Sequence, residues 1–330
     1  MTKKLLTPLP ALLVCAAICG CVHVQPRAAT DPLPSWNEGA AKRAILSFVQ
    51  EVTDKTGPRH VKPADRIATF DNDGTLWAEK PSYVQVLFVF ERIRDLAAQN
   101  PEWMKQQPFQ GILEQGFLSL RNLGDYLKLL GASHASMTQD GFEQEAKRFL
   151  AAAKHPKFKV RYTELVYQPM LEVIAWLQKN EFKVFIVSGG DTDFVRMFSE
   201  EAYGIPRENV IGTSVQAEFR LQENRPVLAH QAEIVKPVND REGKPVNIQR
   251  HTGRPPILAF GNSDGDIPML QFAESEQRPW LSLLLHHDDD EREYGYDQGT
   301  EKALSLAAER NWTVVSMKDD FKLVFPFEKR

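Results

Sequence analysis

Cysteine is nearly missing from this chain of 330 residues: there are three, Cys15, Cys19 and Cys21, all in the first 21 positions. Beyond Cys21 there is no thiol for a disulfide, a zinc site or a cysteine nucleophile, so the chemistry must come from oxygen and nitrogen groups. Long apolar runs are also lacking. The stretch from Leu5 to Ile18 is too short for a membrane span and is broken by Pro8 and Pro10. There is no block of Lys and Arg, and with a net charge of −4 no nucleic-acid partner is expected. Repeats and low-complexity tracts are absent as well. What remains, 42% hydrophobic and 25% charged residues, is the composition of a folded globular protein and excludes a disordered or fibrous one.

The first residues read as an export signal. Lys3 and Lys4 precede the apolar run, which ends in Ile18-Cys19-Gly20-Cys21, a pattern resembling a bacterial lipobox. The expectation is a signal peptide over residues 1–21 and a lipid anchor at Cys21, which would be the only membrane contact. The result would be a periplasm-facing or outer-membrane lipoprotein. The alternative is cleavage near Ala28-Ala29, releasing a soluble periplasmic protein. Residues 22–39, rich in Pro, Ala and Thr at the start, read as a tether.

Helical spacing of Ile45, Phe48, Val49 and Val52 predicts a first helix over 40–52. Short continuous apolar runs follow at 67–70, 184–187, 257–260 and 281–285, with a weaker one at 313–316. Continuous rather than alternating apolarity implies strands buried on both faces, as in a parallel sheet covered by helices. The fold class is therefore α/β, a doubly wound parallel sheet. Helical spacing at 84–98, 111–130 and 142–153 predicts a mostly helical insertion over 81–180, and the core is assigned to 40–80 and 181–330.

Directly after the first run stands Phe70-Asp71-Asn72-Asp73-Gly74-Thr75-Leu76. Two carboxylates two residues apart at a strand end can face one site, and two such charges so close call for a cation or a shared proton. A calcium EF-hand is excluded, because its obligatory Gly and Glu positions hold Leu76 and Ser82. Later run ends carry Ser188-Gly189-Gly190-Asp191 and Gly261-Asn262-Ser263-Asp264-Gly265-Asp266, with Gly243-Lys244-Pro245 opening a helix between them.

These four motifs, in this order, resemble the signature of the haloacid-dehalogenase superfamily, in particular its phosphatases and the phosphoserine-phosphatase-like branch. The resemblance implies Asp71 as the nucleophile that becomes phosphorylated and Asp73 as the general acid and base. It implies Ser188, Gly189 and Lys244 as the phosphate-binding groups, with Lys236 a poorer candidate than Lys244. It also implies Mg²⁺ held by Asp71, the main-chain carbonyl of Asp73, Asn262 and Asp266. Asn262 departs from the pattern, since the family places an Asp there; Asp264 is an extra carboxylate that can compensate. The helical insertion falls where the family places a cap, which implies a small phosphorylated substrate. Trp77, Glu79, Lys80 and Tyr83 are placed to reach that substrate; the alternative for Trp77 and Tyr83 is that they pack the hinge. A phosphotransferase on the same fold and a non-catalytic metal- or ligand-binding lipoprotein are the competing readings. His286 and His287 open an acidic stretch and are left out of the site, as parts of a solvated loop.

Overall fold

The computed structural model describes residues 31–329. The signal peptide, the lipobox with Cys21 and the first half of the tether lie outside them. In chain order the elements are α1 (Ala40–Thr53), β1 (Ile67–Phe70), α2 (Val84–Leu96), α3 (Phe109–Gln115), α4 (Leu123–His134), α5 (Gln139–Ala152), α6 (Gln168–Lys179) and β2 (Lys183–Asp191). Then come α7 (Thr192–Arg196), α8 (Ser199–Tyr203), β3 (Val210–Thr213), β4 (Val215–Gln222), β5 (Arg225–Ile234), α9 (Gly243–Thr252) and β6 (Leu258–Gly261). The last are α10 (Ile267–Ala273), β7 (Leu281–His286), α11 (Glu301–Arg310), β8 (Thr313–Ser316) and α12 (Met317–Asp320).

Six strands form one sheet in the order β3-β2-β1-β6-β7-β8, and every neighbouring pair is parallel. The central strands are mostly apolar because helices cover both faces: all four residues of β1 and of β6 are buried. Ile45, Phe48, Phe70, Ile186, Phe260 and Leu285 belong to one apolar cluster, and Val187, Ala259, Leu270 and Leu284 to another. Each fully buried side chain of this size contributes about 1.5–3 kcal/mol, enough in sum to fix the strand ends above them. The doubly wound α/β class expected from the sequence is the one found.

Strand order reverses direction between β1 and β6, and ligands of such sheets bind at that switch, beyond the carboxyl ends of the strands. Register sets the geometry. Phe70 lies opposite Ile186 on one side and Phe260 on the other, so Asp71, Ser188 and Asn262 all follow at the same end.

The insertion between β1 and β2 is helical, as expected, but not uniform. α6 packs on β2, with the sheet. Helices α2 to α4 share their own apolar cluster (Val89, Ile93, Phe109, Ile112, Leu129, Leu130), which also takes in Val215. That last residue belongs to an antiparallel hairpin, β4 with β5, absent from the sequence reading. The hairpin packs on α4 and α5, so the layer over the strand ends is helices plus a two-stranded ribbon. Among the described residues no helix is long and apolar enough to cross a membrane.

Candidate active site

The chain leaves β1 with Asp71 N donating to Phe260 O of β6 at 2.9 Å, which pins the first carboxylate between the two central strands. It then turns sharply. Leu76 N donates to Asn72 O at 2.8 Å and Gly74 N to Trp77 O at 2.9 Å. Gly74 takes a left-handed φ of +77°, and a Cβ there would stand 2.1 Å from Asn262 Nδ2, so only glycine fits the turn. This turn aims Asp71 and Asp73 into one cavity of about 470 Å³, which Lys244, Gly189 and Gly190 also line.

Lys244, the second residue of α9, is 3% exposed and bridges two carboxylates: its Nζ is 2.6 Å from Asp71 Oδ1 and 2.6 Å from Asp266 Oδ1. Lys236, by contrast, is exposed. Burial opposes the Lys244 charge, but Asp266 and Asp71 outweigh it and hold the ammonium above the usual lysine range. Burial, together with the Asp266 charge, raises the Asp71 carboxyl well above its ordinary value, and Lys244 pulls it back. An anionic Asp71 thus depends on positive charge beside it. For Asp73, burial pushes the carboxyl up to about 6, Trp77 opposing and Glu79 adding to the shift. Trp77 Nε1 donates to Asp73 Oδ1 at 2.8 Å, while its ring is buried and stacked on Phe198 at 4.4 Å. Trp77 therefore packs the hinge and orients the acid, without lining the cavity.

The oxygens suited to a cation lie on the far side of Asp71. With its amide turned one way, Asn262 Oδ1 accepts from Thr75 Oγ1 at 3.1 Å. Turned the other way, Nδ2 donates to Asp73 O at 3.1 Å and to Asp71 Oδ2 at 3.3 Å. Asp71 Oδ2, the Asp73 carbonyl and the Asn262 amide therefore converge. The first two repel an amide oxygen unless a cation stands between them. This all-oxygen set fits a hard divalent ion such as Mg²⁺. It holds one carboxylate fewer than a site with Asp at 262; among the described residues no cluster of three or more acidic, His or Cys side chains is arranged to hold a metal.

Asp266 is brought to the site but spends its oxygens elsewhere. Oδ1 is on Lys244, and Oδ2 accepts from Asn262 N at 3.0 Å, Ser263 N at 3.1 Å and Ser263 Oγ at 3.1 Å. Asp264 is turned away, its Oδ1 accepting from Ala303 N at 2.8 Å in the first turn of α11. It does not compensate for Asn262.

Ser188 is fully buried where β2 loses its regular register against β3, between Val187 and Asp191, and its Oγ accepts from Gly190 N at 3.0 Å across this looped end of the strand. The loop it opens is tied from behind: Asn239 Nδ2 donates to Ser188 O at 2.7 Å and Thr213 Oγ1 to Gly189 O at 2.8 Å. Buried Asn239, five residues before Lys244, thus links the Ser188 loop to the segment carrying the lysine; nothing in the sequence singled it out.

The insertion supplies the opposite wall. Glu79 and Tyr83 line it, as do Gln85, Arg121, Asn122 and Tyr126, which sequence reasoning did not reach. Asn122 also caps α4 by accepting from Asp125 N at 3.0 Å. Lys80 pairs with Glu79 at 3.5 Å and lies 4.3 Å over the ring of Tyr296.

The expectation of a solvated acidic loop after β7 is corrected. His287 and Glu293 are buried, His287 Nε2 donates to Gly74 O at 2.7 Å, and Nδ1 faces Glu293 Oε2 at 3.2 Å. Asp288 and Asp289 are likewise engaged, with Ser316 and Arg292. The signal available was a histidine directly following a strand of the same sheet. Because His287 locks the Gly74 turn from behind, His287→Ala would leave the Gly74 carbonyl without its donor and take one contact from buried Glu293. The expected cost in denaturant unfolding is about 1–3 kcal/mol. His287→Gln, which retains a donor for Gly74 O, should recover part of it; equal losses in both variants would remove the role given to that hydrogen bond.

Comparison with curated proteins gave no match. Among solved structures, a conserved, functionally unknown protein from Anaerococcus prevotii DSM 20548 is similar at 16% identity and a TM-score of 0.56, over 87% of this chain and 94% of that one. A protein of unknown function from Bordetella pertussis Tohama I aligns at 14% identity and a TM-score of 0.49, over 76% of this chain and 97% of that one. A phosphoserine phosphohydrolase-like protein from Francisella tularensis subsp. tularensis SCHU S4 aligns at 16% identity and a TM-score of 0.40, over 76% and 94%. The Anaerococcus likeness shows a shared fold. Residues 68–271, most of the chain and running from within β1 to within α10, match the haloacid dehalogenase-like hydrolase family, and this chain belongs to it.

Proposed function

We propose that this chain is a Mg²⁺-dependent phosphohydrolase that cleaves small phosphate monoesters through an aspartyl phosphate on Asp71. The observation that carries the reading is the Lys244 bridge, 2.6 Å to Asp71 and 2.6 Å to Asp266, beside a second carboxylate on the same cavity. A nucleophile whose charge a buried lysine offsets, with an acid two residues away, is what stepwise phosphoryl transfer needs.

A bound Mg²⁺, held by Asp71, the Asp73 carbonyl and Asn262, would supply positive charge against which an anionic ester can approach an anionic carboxylate. Asp71 forms its O–P bond as the bond to the leaving oxygen breaks, and Asp73 gives that oxygen its proton. Lys244 and the Ser188 loop stabilise the charge on the phosphoryl oxygens. Asp73, now ionised, takes a proton from water as the water oxygen bonds to phosphorus and Asp71 is released. The cavity's size and its cover of helices and ribbon favour small substrates. The leader and Cys21 support an exported, lipid-anchored enzyme; Cys21→Ser should move it from the membrane fraction to the soluble one.

The first test is phosphate release from p-nitrophenyl phosphate with Mg²⁺ or with EDTA: turnover lost in EDTA supports the reading, and no turnover with any divalent metal in folded protein removes it. The pH dependence tests Asp73. A carboxyl raised to about 6 is protonated below that value and ionised above it. Formation of the phosphoenzyme from an alkyl phosphate, which needs the acid, should therefore fall as pH rises through about 6. With p-nitrophenyl phosphate, whose leaving group is stable as an anion, that step should stay flat. In Asp73→Asn, phosphoenzyme formed from the nitrophenyl ester should accumulate and be visible by acid-quench mass spectrometry.

A further inference from the structure

One buried donor beside the phosphate loop has nothing to donate to. Gln85, the second residue of α2, is 7% exposed and lines the cavity with Asp71, Gly189 and Gly190. Its Oε1 accepts from Asp191 N at 2.7 Å, and only an oxygen can receive that N–H, so the amide's orientation is fixed. Nε2 is thereby directed elsewhere, and it is buried with no hydrogen-bond partner. Asp191 has little freedom to relax the arrangement: its Oδ2 accepts from Phe194 N at 3.0 Å and meets His134 Nε2 at 3.1 Å. The amide comes so near the loop that a Cβ on Gly190 would stand 2.5 Å from Gln85 Oε1.

A buried amide nitrogen without an acceptor is costly and is ordinarily satisfied within a fold. This one belongs to a side chain that its own oxygen holds in place and that lines the cavity, next to the loop that follows Ser188. A ligand with an acceptor oxygen at that point would satisfy it. We infer that Gln85 Nε2 donates to a non-bridging oxygen of the phosphoryl group, so that the insertion, and not the sheet alone, completes the phosphate site. This rests on the phosphohydrolase reading. α2 belongs to the layer over the strand ends, so phosphate would be gripped from both sides, by Lys244 and the Ser188 loop below and by Gln85 above. The phosphoryl group would then hold the two layers together while Asp71 reacts.

The decisive variant is Gln85→Glu, which keeps an oxygen for Asp191 N and replaces the donor by a second oxygen. Binding of inorganic phosphate to the full chain, purified with Mg²⁺ present, would be measured by calorimetry beside the wild type. Weakening of roughly 10- to 100-fold, with an unchanged unfolding midpoint, is expected. KM for p-nitrophenyl phosphate should rise in parallel. Should Gln85→Glu not fold, Gln85→Met, an apolar side chain of similar length, removes the donor together with the oxygen for Asp191 N, and phosphate affinity equal to wild type in it would overturn the inference just as well. Phosphate affinity equal to wild type, with or without a changed KM for esters, overturns the inference and leaves the phosphohydrolase intact, with Gln85 contacting the leaving group or nothing. A wild type that neither binds phosphate nor turns over p-nitrophenyl phosphate removes both.

Discussion

Asp71→Asn should abolish turnover, by roughly 10⁴-fold or more in kcat for p-nitrophenyl phosphate. The amide is nearly isosteric, and nothing in the surrounding packing resists it. What it cannot do is form the bond to phosphorus as an anion, and no neighbouring group can replace it: Asp73 is tied to Trp77 at 2.8 Å and Asp266 is consumed by Lys244 and its own loop. Burial, and after it the Asp266 charge, raises the Asp71 carboxyl well above its ordinary value, and the substitution removes that buried charge. The folded state should therefore be as stable as the wild type or more so. A variant that is inactive and undamaged in its unfolding midpoint is the outcome expected. Near-normal activity would end the aspartyl-phosphate mechanism, and inactivity accompanied by unfolding would not count for it.

Lys244→Met should show the opposite balance, a large loss of stability along with activity. Lys244 is enclosed, and its Nζ meets Asp71 and Asp266 at 2.6 Å each. Removing it leaves two buried carboxylates facing one another, at a cost of about 3–5 kcal/mol in denaturant unfolding at neutral pH. The sign with pH follows from Asp71. An acid whose folded pKa lies above its unfolded value takes stability away as it ionises, so the variant should regain stability as pH falls through that raised folded value. A wild type carrying the lysine should show a smaller rise over the same range. If the deficit were the same at pH 5 as at neutral pH, packing rather than charge would be the cause.

Most of the strand ends were legible in the sequence because burial on both faces leaves unbroken apolar runs. Ile67–Phe70 and Thr313–Ser316 coincide with β1 and β8, and the runs from Val184, Ile257 and Leu281 fall on β2, β6 and β7 within a few residues. β3 escaped because Val210-Ile211-Gly212-Thr213 is short and half small or polar. The hairpin escaped for a different reason. After Val215 every residue of β4 is exposed, so no inward-facing stripe marks it. Its turn uses Glu223 and Asn224 at φ values of 51° and 62°, where the usual signal is Asn-Gly.

Of the proposed site, Asp71, Asp73, Ser188 and Asn262 stand at strand ends, where an unbroken apolar run points to them; the groups that hold them in place carry no such mark. Asn239, Gln85 and His287 act through contacts over long sequence separations, such as the 106 residues between Gln85 and Asp191. One sequence carries no trace of such pairings. Asp266 shows the limit from the other side: spacing placed it in the metal loop, but only the coordinates show both of its oxygens already engaged.

The layer over the site leaves the sheet twice, once as the insertion after Asp73 and once as the ribbon between β3 and α9. Both roots of the ribbon meet the Ser188 loop, Thr213 through Gly189 O and Asn239 through Ser188 O. A flap fixed along one edge at a single point can twist and slide. One fixed at two separated points swings about the line between them, like a door on two pins. Were the layer to swing about that line, the Ser188 segment and, through Asn239, the segment carrying Lys244 would move with it. In the proposed mechanism the phosphate grip would then loosen in the same stroke that lets product leave.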